Sequence, residues 1–371
     1  MFADQPIATP RVDPRSLRGR LVGVATLFAT PLRPSHYLEL INPLWTTHSL
    51  RARVEAVCDE TRDARTLTLR PGRGWRPHRA GQFVRLGVSV GGVRHTRTYS
   101  ISSSPDRGDG CITVTVKTVA GGRVSPFLVG ELRPGSYLSI STPAGDFVLP
   151  DARPVRPLFL TAGSGITPVM SMLRTYRLRG TMPDVVHVHY APLPHDVIFK
   201  DELQDMAAQE PRYRLRSVYT RELGRSHFDR EQLESLCPDW RERDVWACGP
   251  QALLDAVERH WDAAGLGERL HIERFQAPRA ALSSDATGGT VSFAGSGRRV
   301  EADGRTPLLR VAEDAGLNPA HGCRMGICHS CDVSLLKGRV RDLRTGALVE
   351  AEGQKVQICV CAAAGSVELA L

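Results

Sequence analysis

Ala320-His321-Gly322-Cys323-Arg324-Met325-Gly326-Ile327-Cys328-His329-Ser330-Cys331 sets three cysteines in the spacing C-x4-C-x2-C, and Cys359 and Cys361 follow near the end of the chain. Three thiolates from one tight loop and a fourth from a later turn is the arrangement that holds a 2Fe-2S cluster. A loop bent around a cluster needs backbone at positive φ, which Gly322 and Gly326 tolerate. Ser330 is small enough to leave room beside Cys331. A structural zinc site would show paired C-x2-C knuckles. A chain of 371 residues needs no disulfide staples, and nothing in it argues for an oxidising compartment. The spacing therefore selects Cys323, Cys328 and Cys331 as metal ligands and leaves Cys359 and Cys361 both eligible as the fourth.

Working outward, the cysteine loop follows a short helical signal in which Thr306 reads as N-cap, Pro307 as the first helical residue and Gly316 as the stop. Strand-like segments lie before it around Val291–Phe293 and Arg298–Glu301. Residues 277–289, Ala-Pro-Arg-Ala-Ala-Leu-Ser-Ser-Asp-Ala-Thr-Gly-Gly, are small and polar and read as a linker. The cysteine-bearing domain is thus expected over 290–371.

Upstream of the linker the texture is a different one. Leu158-Phe159-Leu160-Thr161 is a short apolar strand, followed by a glycine loop and a helix through Met172 and Tyr176; Val185–Tyr190, Arg214–Val218 and Asp244–Cys248 are further strands with helices between. That alternation predicts a parallel sheet covered by helices on both faces, over 153–276. Before it, residues 50–152 alternate with period 2 in Arg51–Val57, Ala64–Arg70, Gln82–Val90, Val93–Ile101 and Cys111–Val119, with Gly and Pro turns between, which predicts an antiparallel barrel. Residues 1–49 form an extension whose run from Leu17 to Trp45 looks helical and is read as a strap on the barrel.

This length implies two or three domains. The net charge of +8 is uneven: residues 51–107 hold twelve Arg against five acidic residues, while 285–371 hold ten of each sign. The basic stretch lacks aromatic platforms and binding motifs, so nucleic acid is excluded as a partner. A basic face for an acidic partner or an anionic membrane surface is the plainer reading. No run of about 18 apolar residues exists, so no transmembrane segment is expected. The stretch Leu21–Leu32 after Arg15, Arg18 and Arg20 imitates a signal peptide but lacks a proper start and cleavage site. The expected location is the cytoplasm, with peripheral contact at the inner face of the membrane.

Several short motifs carry chemistry. In Arg97-Thr98-Tyr99-Ser100, Arg97 can clamp a phosphate, Tyr99 can lie on an aromatic ring and Ser100 can bond a ring nitrogen. Lys117 leads into Gly121-Gly122-Arg123-Val124-Ser125, where glycines open a helix whose free amides suit a pyrophosphate. Thr161-Ala162-Gly163-Ser164-Gly165-Ile166-Thr167-Pro168 is a strand, glycine turn and helix start of the kind a dinucleotide needs, with Pro168 where the last glycine of the usual fingerprint would stand. Asp244-Val245-Trp246-Ala247-Cys248-Gly249-Pro250 ends another strand in a turn.

Together these residues resemble the ferredoxin-NADP reductase superfamily, in the order flavin barrel, nucleotide domain, ferredoxin. The resemblance covers 50–371 and implies an antiparallel FAD-binding β-barrel, an α/β NAD(P)-binding domain and an α+β β-grasp ferredoxin domain. It implies that Arg97, Thr98, Tyr99 and Ser100 hold FAD with Lys117, Gly122, Val124 and Ser125. It implies that Gly163, Gly165, Thr167, Pro168, Cys248, Gly249 and Pro250 hold the nucleotide, and that Tyr99, Ser100 and Cys248 stand at the reacting rings. Pro143-Ala144-Gly145-Asp146-Phe147 fits the barrel exit, and Glu273 and Phe275 fit the segment closing over the flavin. Lys355-Val356-Gln357-Ile358-Cys359 resembles the closing strand of plant-type ferredoxins and selects Cys359 as the fourth ligand. Arg221, ending a strand after Ser217 and Thr220, resembles the phosphate-reading Arg of NADP-dependent relatives, so NADPH is expected, with NADH the alternative. His321 and His329 are expected to face solvent.

The activity implied is an NAD(P)H-dependent reductase: a nicotinamide delivers a hydride, FAD holds the pair, and the 2Fe-2S cluster passes electrons singly to an acceptor protein. Residues 17–49 look like the N-terminal extension of reductases that serve membrane fatty-acyl desaturases, which makes an acyl desaturase the expected partner. A Rieske-type ring or steroid hydroxylase is the runner-up. A redox-sensing interaction protein is the rival of another class; it would be expected to lose part of the hydride site, which is complete here.

Overall fold

The computed structural model describes residues 42–46, 49–150, 156–223, 228–275, 287–322, 324–326, 329–350 and 352–371. Most of the N-terminal extension, residues 276–286 with most of the expected linker 277–289, and Cys323 and Cys328 lie outside them, and Gly289, expected to end the linker, already opens a strand. The chain divides into two compact units, one built mainly of residues up to Glu273 and one mainly of Arg274–Leu371.

The first unit opens with Pro43–Trp45, a 3-10 turn in which Asn42 Oδ1 accepts from Leu44 N at 2.9 Å. Arg73 N donates to the Leu44 carbonyl, and the Arg73 guanidinium sits over the Trp45 ring, so this end of the extension is strapped to the barrel as expected. Six strands follow: β1 (Arg51–Thr61), β2 (Ala64–Pro71), β3 (Phe83–Val90), β4 (Val93–Ser100), β5 (Ile112–Lys117) and β6 (Tyr137–Ile140). Their order is β4-β3-β6-β1-β2-β5. The sheet closes because the chain leaving β4 pairs Ile101 with Val114 and donates Ser102 N to Thr113 O. Alternate apolar positions of these strands, Leu67, Leu69, Val84, Leu86, Val114 and Val116, fill the interior, while β5 is buried on both faces from Ile112 to Val116.

The parallel sheet is built from β7 (Pro157–Ala162), β8 (Val185–Ala191), β9 (Tyr213–Tyr219), β10 (Asp244–Cys248) and β11 (Leu270–Glu273), in the order β11-β10-β7-β8-β9. β7 and β8 are buried at every residue, as a strand covered on both faces must be. The order reverses between β7 and β10, and the crevice beyond their C-terminal ends is where such sheets take ligands.

Barrel and sheet share one core. Ala64, Ala80 and Phe147 from the barrel pack with Met172, Leu173 and Tyr176 from the helix Ile166–Leu178. The barrel segment after β4 is pinned to that helix and its end: Ser171 Oγ donates to Ser103 O at 2.6 Å, Arg174 donates to Ser102 O at 2.8 Å, and Arg179 pairs with Asp106.

At the opposite end of the sheet Arg243 is completely buried and donates to Asp239 and Asp184, which also engage Arg156. Hydrogen bonding from Arg243 holds the Asp239 carboxyl below the usual carboxylate range. Burial pushes Asp184 up, but the charge of Arg243 and the bonds from Arg214 and Arg156 outweigh it. Both native carboxyls are therefore more acidic than in the unfolded chain, so their stabilisation is full above an unfolded pKa of about 3.9 and fades as pH falls through the lower native values. Arg243→Met is expected to cost about 3 kcal/mol, the low end for a broken buried pair, because the carboxylates are 36% and 24% exposed and keep other partners. Urea unfolding from pH 3 to 7 checks this: the variant should also show a flatter acid limb.

The second unit contains β12 (Gly289–Phe293), β13 (Arg298–Ala302), β14 (Asp332–Asp342), β15 (Leu348–Val349), β16 (Lys355–Gln357) and β17 (Cys361–Leu369), in the order β13-β12-β17-β14-β15 with β16 on β14. β12 and β17 are parallel and the other pairs antiparallel, the mixed sheet of the expected α+β domain. The helix here spans Leu308–Asp314 with Pro307, not Thr306, at its N-cap. Asp303 decides this, because its carboxylate accepts from Arg305 N, Thr306 N and the Thr306 hydroxyl, which holds Thr306 in the preceding turn. No helix among the described residues is long and apolar enough to cross a membrane.

Candidate functional site

Along β4, Arg97 and Tyr99 share one face, and Thr98 and Ser100 the other. Tyr99 packs half-buried against the barrel core, and burial holds its phenol well above the ordinary range, so it stays neutral. Ser100 is buried, and its hydroxyl has no hydrogen-bond partner among the described residues. Arg97 donates to its neighbour's carbonyl, Thr96 O, at 2.8 Å.

The glycine turn after β5 enters the helix Val124–Gly130. Ser125 Oγ accepts from Val119 N at 3.0 Å, which fixes the turn and leaves the hydroxyl proton able to donate. Gly121 takes φ +70°, and Gly122 is so close to the Val119 carbonyl that a Cβ would sit 3.0 Å from it. Lys117 is paired with Asp63 at 2.8 Å, a partner across the sheet that the local sequence does not reveal.

In the parallel sheet, β7 runs into Gly163–Gly165 and then the helix Ile166–Leu178. Gly163 has φ +53°, and a Cβ on Gly165 would stand 2.1 Å from the Cys248 carbonyl oxygen. Gly249 approaches Ala162 in return, its missing Cβ 3.2 Å away. The two turns therefore interlock backbone to backbone. Thr167 Oγ1 donates to Ser164 O at 3.0 Å, and Pro168 occupies the first helical turn, where its lacking N–H is no loss. Pro250 is the N-cap of the helix Gln251–Ala263. Arg221 is exposed on the single helical turn Thr220–Leu223 following β9. Phe275 is exposed after β11.

Three proton-bearing groups converge here. Cys248 and Glu273 end adjacent parallel strands in register. Burial, reinforced by the Glu273 charge, pushes the Cys248 thiol well above its ordinary range, so it is a thiol and not a thiolate. Burial lifts Glu273 to about 8, while the nearby Ser100 hydroxyl favours its ionised form. One Glu273 oxygen has no hydrogen-bond partner. At neutral pH the site thus presents a hydroxyl, a thiol and a protonated carboxyl, two of them with unsatisfied polar atoms. Such orphaned groups suit the polar edge of a flat, uncharged ring, and they fit FAD and a nicotinamide. The glycine turns 121–123 and 163–165 offer backbone amides for the phosphates.

In the second unit, Cys331 and Cys359 are both buried and close enough for their sulfurs to interact, which lowers the Cys331 thiol to about 7. Cys361 lies in β17 opposite Asp342, and burial pushes it up to about 12. Arg324 and His329 adopt φ +60° and +55° and Gly326 φ +73°, the tight winding a cluster loop requires. Two buried thiols at this winding loop fit a 2Fe-2S cluster. Sequence reasoning placed His321 in solvent, but it is partly buried, with Nδ1 3.0 Å from Pro319 O and Nε2 against Arg324, which in turn pairs with Glu313. His329 is exposed beside Asp332.

Known proteins agree with this architecture. Residues 53–149 match the oxidoreductase FAD-binding domain family, 159–259 the oxidoreductase NAD-binding domain family and 291–364 the 2Fe-2S iron-sulfur cluster binding domain family. The chain is 47% identical to an NADPH oxidoreductase of Mycobacterium tuberculosis over 92% of this chain and 90% of that protein. It is 31% identical to a glycine betaine monooxygenase reductase subunit of Chromohalobacter salexigens, over 85% and 93% of the two chains. Among solved structures, phthalate dioxygenase reductase superposes with a TM-score of 0.63 at 26% identity, covering 86% of this chain and 97% of that one.

Proposed function

Because this chain belongs to the oxidoreductases that carry a FAD-binding, an NAD-binding and a 2Fe-2S domain in one polypeptide, we propose that it feeds electrons from NADPH to a membrane fatty-acyl desaturase. The 47% identity along nearly the whole chain to an NADPH oxidoreductase supports the NADPH-dependent reductase, and the resemblance of residues 17–49 to the extension of desaturase-serving reductases is what points to this acceptor. The bound groups supply hydride donation by the nicotinamide, storage of the electron pair by FAD and single-electron delivery by the cluster.

The residues do the rest. Interlocked turns at Gly165 and Gly249 hold the nucleotide crevice against β10, and the shared core sets its distance from Ser100. Tyr99 covers apolar ring surface, Arg97 and the 121–125 turn take phosphate, and Cys248 fills the crevice floor as a neutral thiol. With FAD bound, Ser100 would donate to a ring nitrogen, and Glu273 would stay protonated next to it at neutral pH. Cys323, Cys328, Cys331 and Cys359 bind the iron. Arg221 receives the extra phosphate of NADPH: Arg221→Ala should raise KM for NADPH roughly tenfold while leaving KM for NADH within twofold. Equal effects on both would remove the basis for NADPH.

The soluble arm beyond the linker reaches an acceptor at the cytoplasmic membrane face, and the basic barrel favours anionic lipid. Membranes containing an acyl desaturase, mixed with the protein and NADPH, should form oleate. The relatives named for glycine betaine monooxygenase and phthalate dioxygenase favour a second reading, a Rieske-type hydroxylase as acceptor. Brisk support of such a hydroxylase with no oleate would establish that reading instead.

A further inference from the structure

We propose that Arg344 is a positioning residue for the iron-sulfur cluster and that its charge raises the cluster's reduction potential. The inference rests on the cluster reading of the cysteine loop and is independent of the acceptor's identity. Arg344 follows β14 in the turn to β15, where Asp342 Oδ1 accepts its backbone N–H at 2.8 Å. From there its half-buried side chain joins three segments. Nη1 donates to the Gly326 carbonyl at 2.8 Å, inside the cysteine loop. Nε and Nη2 grip the Asp342 carboxylate at 3.1 and 2.6 Å, and Nη2 also donates to Gln357 Oε1 at 3.2 Å, two residues before Cys359. The backbone adds a further tie, Leu343 N to Val360 O at 2.8 Å.

The contact with the loop is intimate. A Cβ on Gly326 would lie 2.4 Å from Arg344 Nη1 and 2.9 Å from Val360 Cγ2, so the guanidinium occupies the space that glycine leaves open. A planar fork with several fixed donors can hold three partners at once, which a lysine ammonium cannot reproduce.

The electrostatic consequence has a definite sign. Reducing the cluster adds one negative charge to a partly buried site, and a guanidinium beside it stabilises that state; the carboxylate of Asp342 opposes it. Removing Arg344 deletes the favourable charge and leaves Asp342 uncompensated, so both changes lower the potential. Removing the Asp342 charge frees Arg344 and raises it.

The test is an EPR-monitored redox titration of the full-length holoprotein, with iron content and the flavin potential measured on the same samples. Arg344→Met should make cluster reduction about tenfold less favourable, about 59 mV for a one-electron couple, with the flavin potential unchanged. Asp342→Asn should shift it the other way. Arg344→Lys should keep the potential near wild type but release iron faster to a chelator. An Arg344→Met protein with full iron and the wild-type potential overturns the proposal, as does Asp342→Asn moving downward or not at all. If Arg344→Met fails to retain iron, the upward shift in Asp342→Asn supports it. Absence of a 2Fe-2S signal in the wild-type protein would instead refute the cluster reading beneath it.

Discussion

Cys359→Ser will strip the iron from the ferredoxin domain and abolish NADPH-driven reduction of one-electron protein acceptors, while Cys361→Ser will retain both. Only Val360 stands between the two cysteines, yet the fold separates their roles. Cys359 lies between β16 and β17 and sits against Cys331. Cys361 has already entered β17, paired in register with Asp342. Cys359 sits in the turn of residues 358–360 after β16, with its sulfur against Cys331, whereas Cys361 is held by strand pairing, so Cys361 cannot take the ligand position of Cys359 without disturbing that register. Serine offers a harder, less acidic donor than a thiolate and leaves one coordination position weakly filled. Flavin reduction by NADPH should survive in Cys359→Ser, because the hydride site lies in the other unit. Iron analysis and stopped-flow flavin bleaching separate the two effects; iron lost from Cys361→Ser and kept in Cys359→Ser would assign the ligand the other way.

Gly165→Ala should slow reduction of the flavin by NADPH about 100-fold. The added Cβ would meet the Cys248 carbonyl oxygen at 2.1 Å and Gly249 N at 2.7 Å, and both are backbone atoms that cannot rotate aside. Relief requires the β7 turn and the β10 turn to separate by about an ångström, which displaces the nucleotide crevice from Cys248 and Glu273. A displacement of that size at reacting atoms typically costs about two orders of magnitude in rate. Gly163→Ala is the informative control: its position is open, so its cost is the backbone strain of φ +53° and not a collision. Stopped-flow absorbance of the flavin, with circular dichroism to show that the variant folds, decides the matter. A Gly165→Ala protein that bleaches as fast as wild type would mean the interlock does not position the nucleotide.

Local signals accounted for whatever depended on neighbouring residues. Strict alternation from Cys111 to Val119 located β5, although its polar face is buried too, Thr113 and Thr115 bonding to Ser102 and Thr66, and the all-apolar Leu158-Phe159-Leu160 described β7 because both its faces are covered. The 2Fe-2S domain was equally legible in the cysteine spacing, and residues 291–364 match that family. The cap at Thr306 misled because the competing acceptor, Asp303, lies just outside the pattern that defines a helix start.

What depends on distant chain meeting in space was out of reach of such signals. Nothing near Lys117 reveals Asp63, nothing near Gly326 reveals Arg344, and His321 reads as a surface residue until Arg324 is seen turning back to Glu313. The three-domain order and most of the strands could be read from residue order alone, because periodicity encodes burial along a continuous backbone. That Ser100, Cys248 and Glu273 share one crevice and hold their protons there emerges from the fold alone, because desolvation is a property of what the fold places around a group and not of its neighbours in sequence.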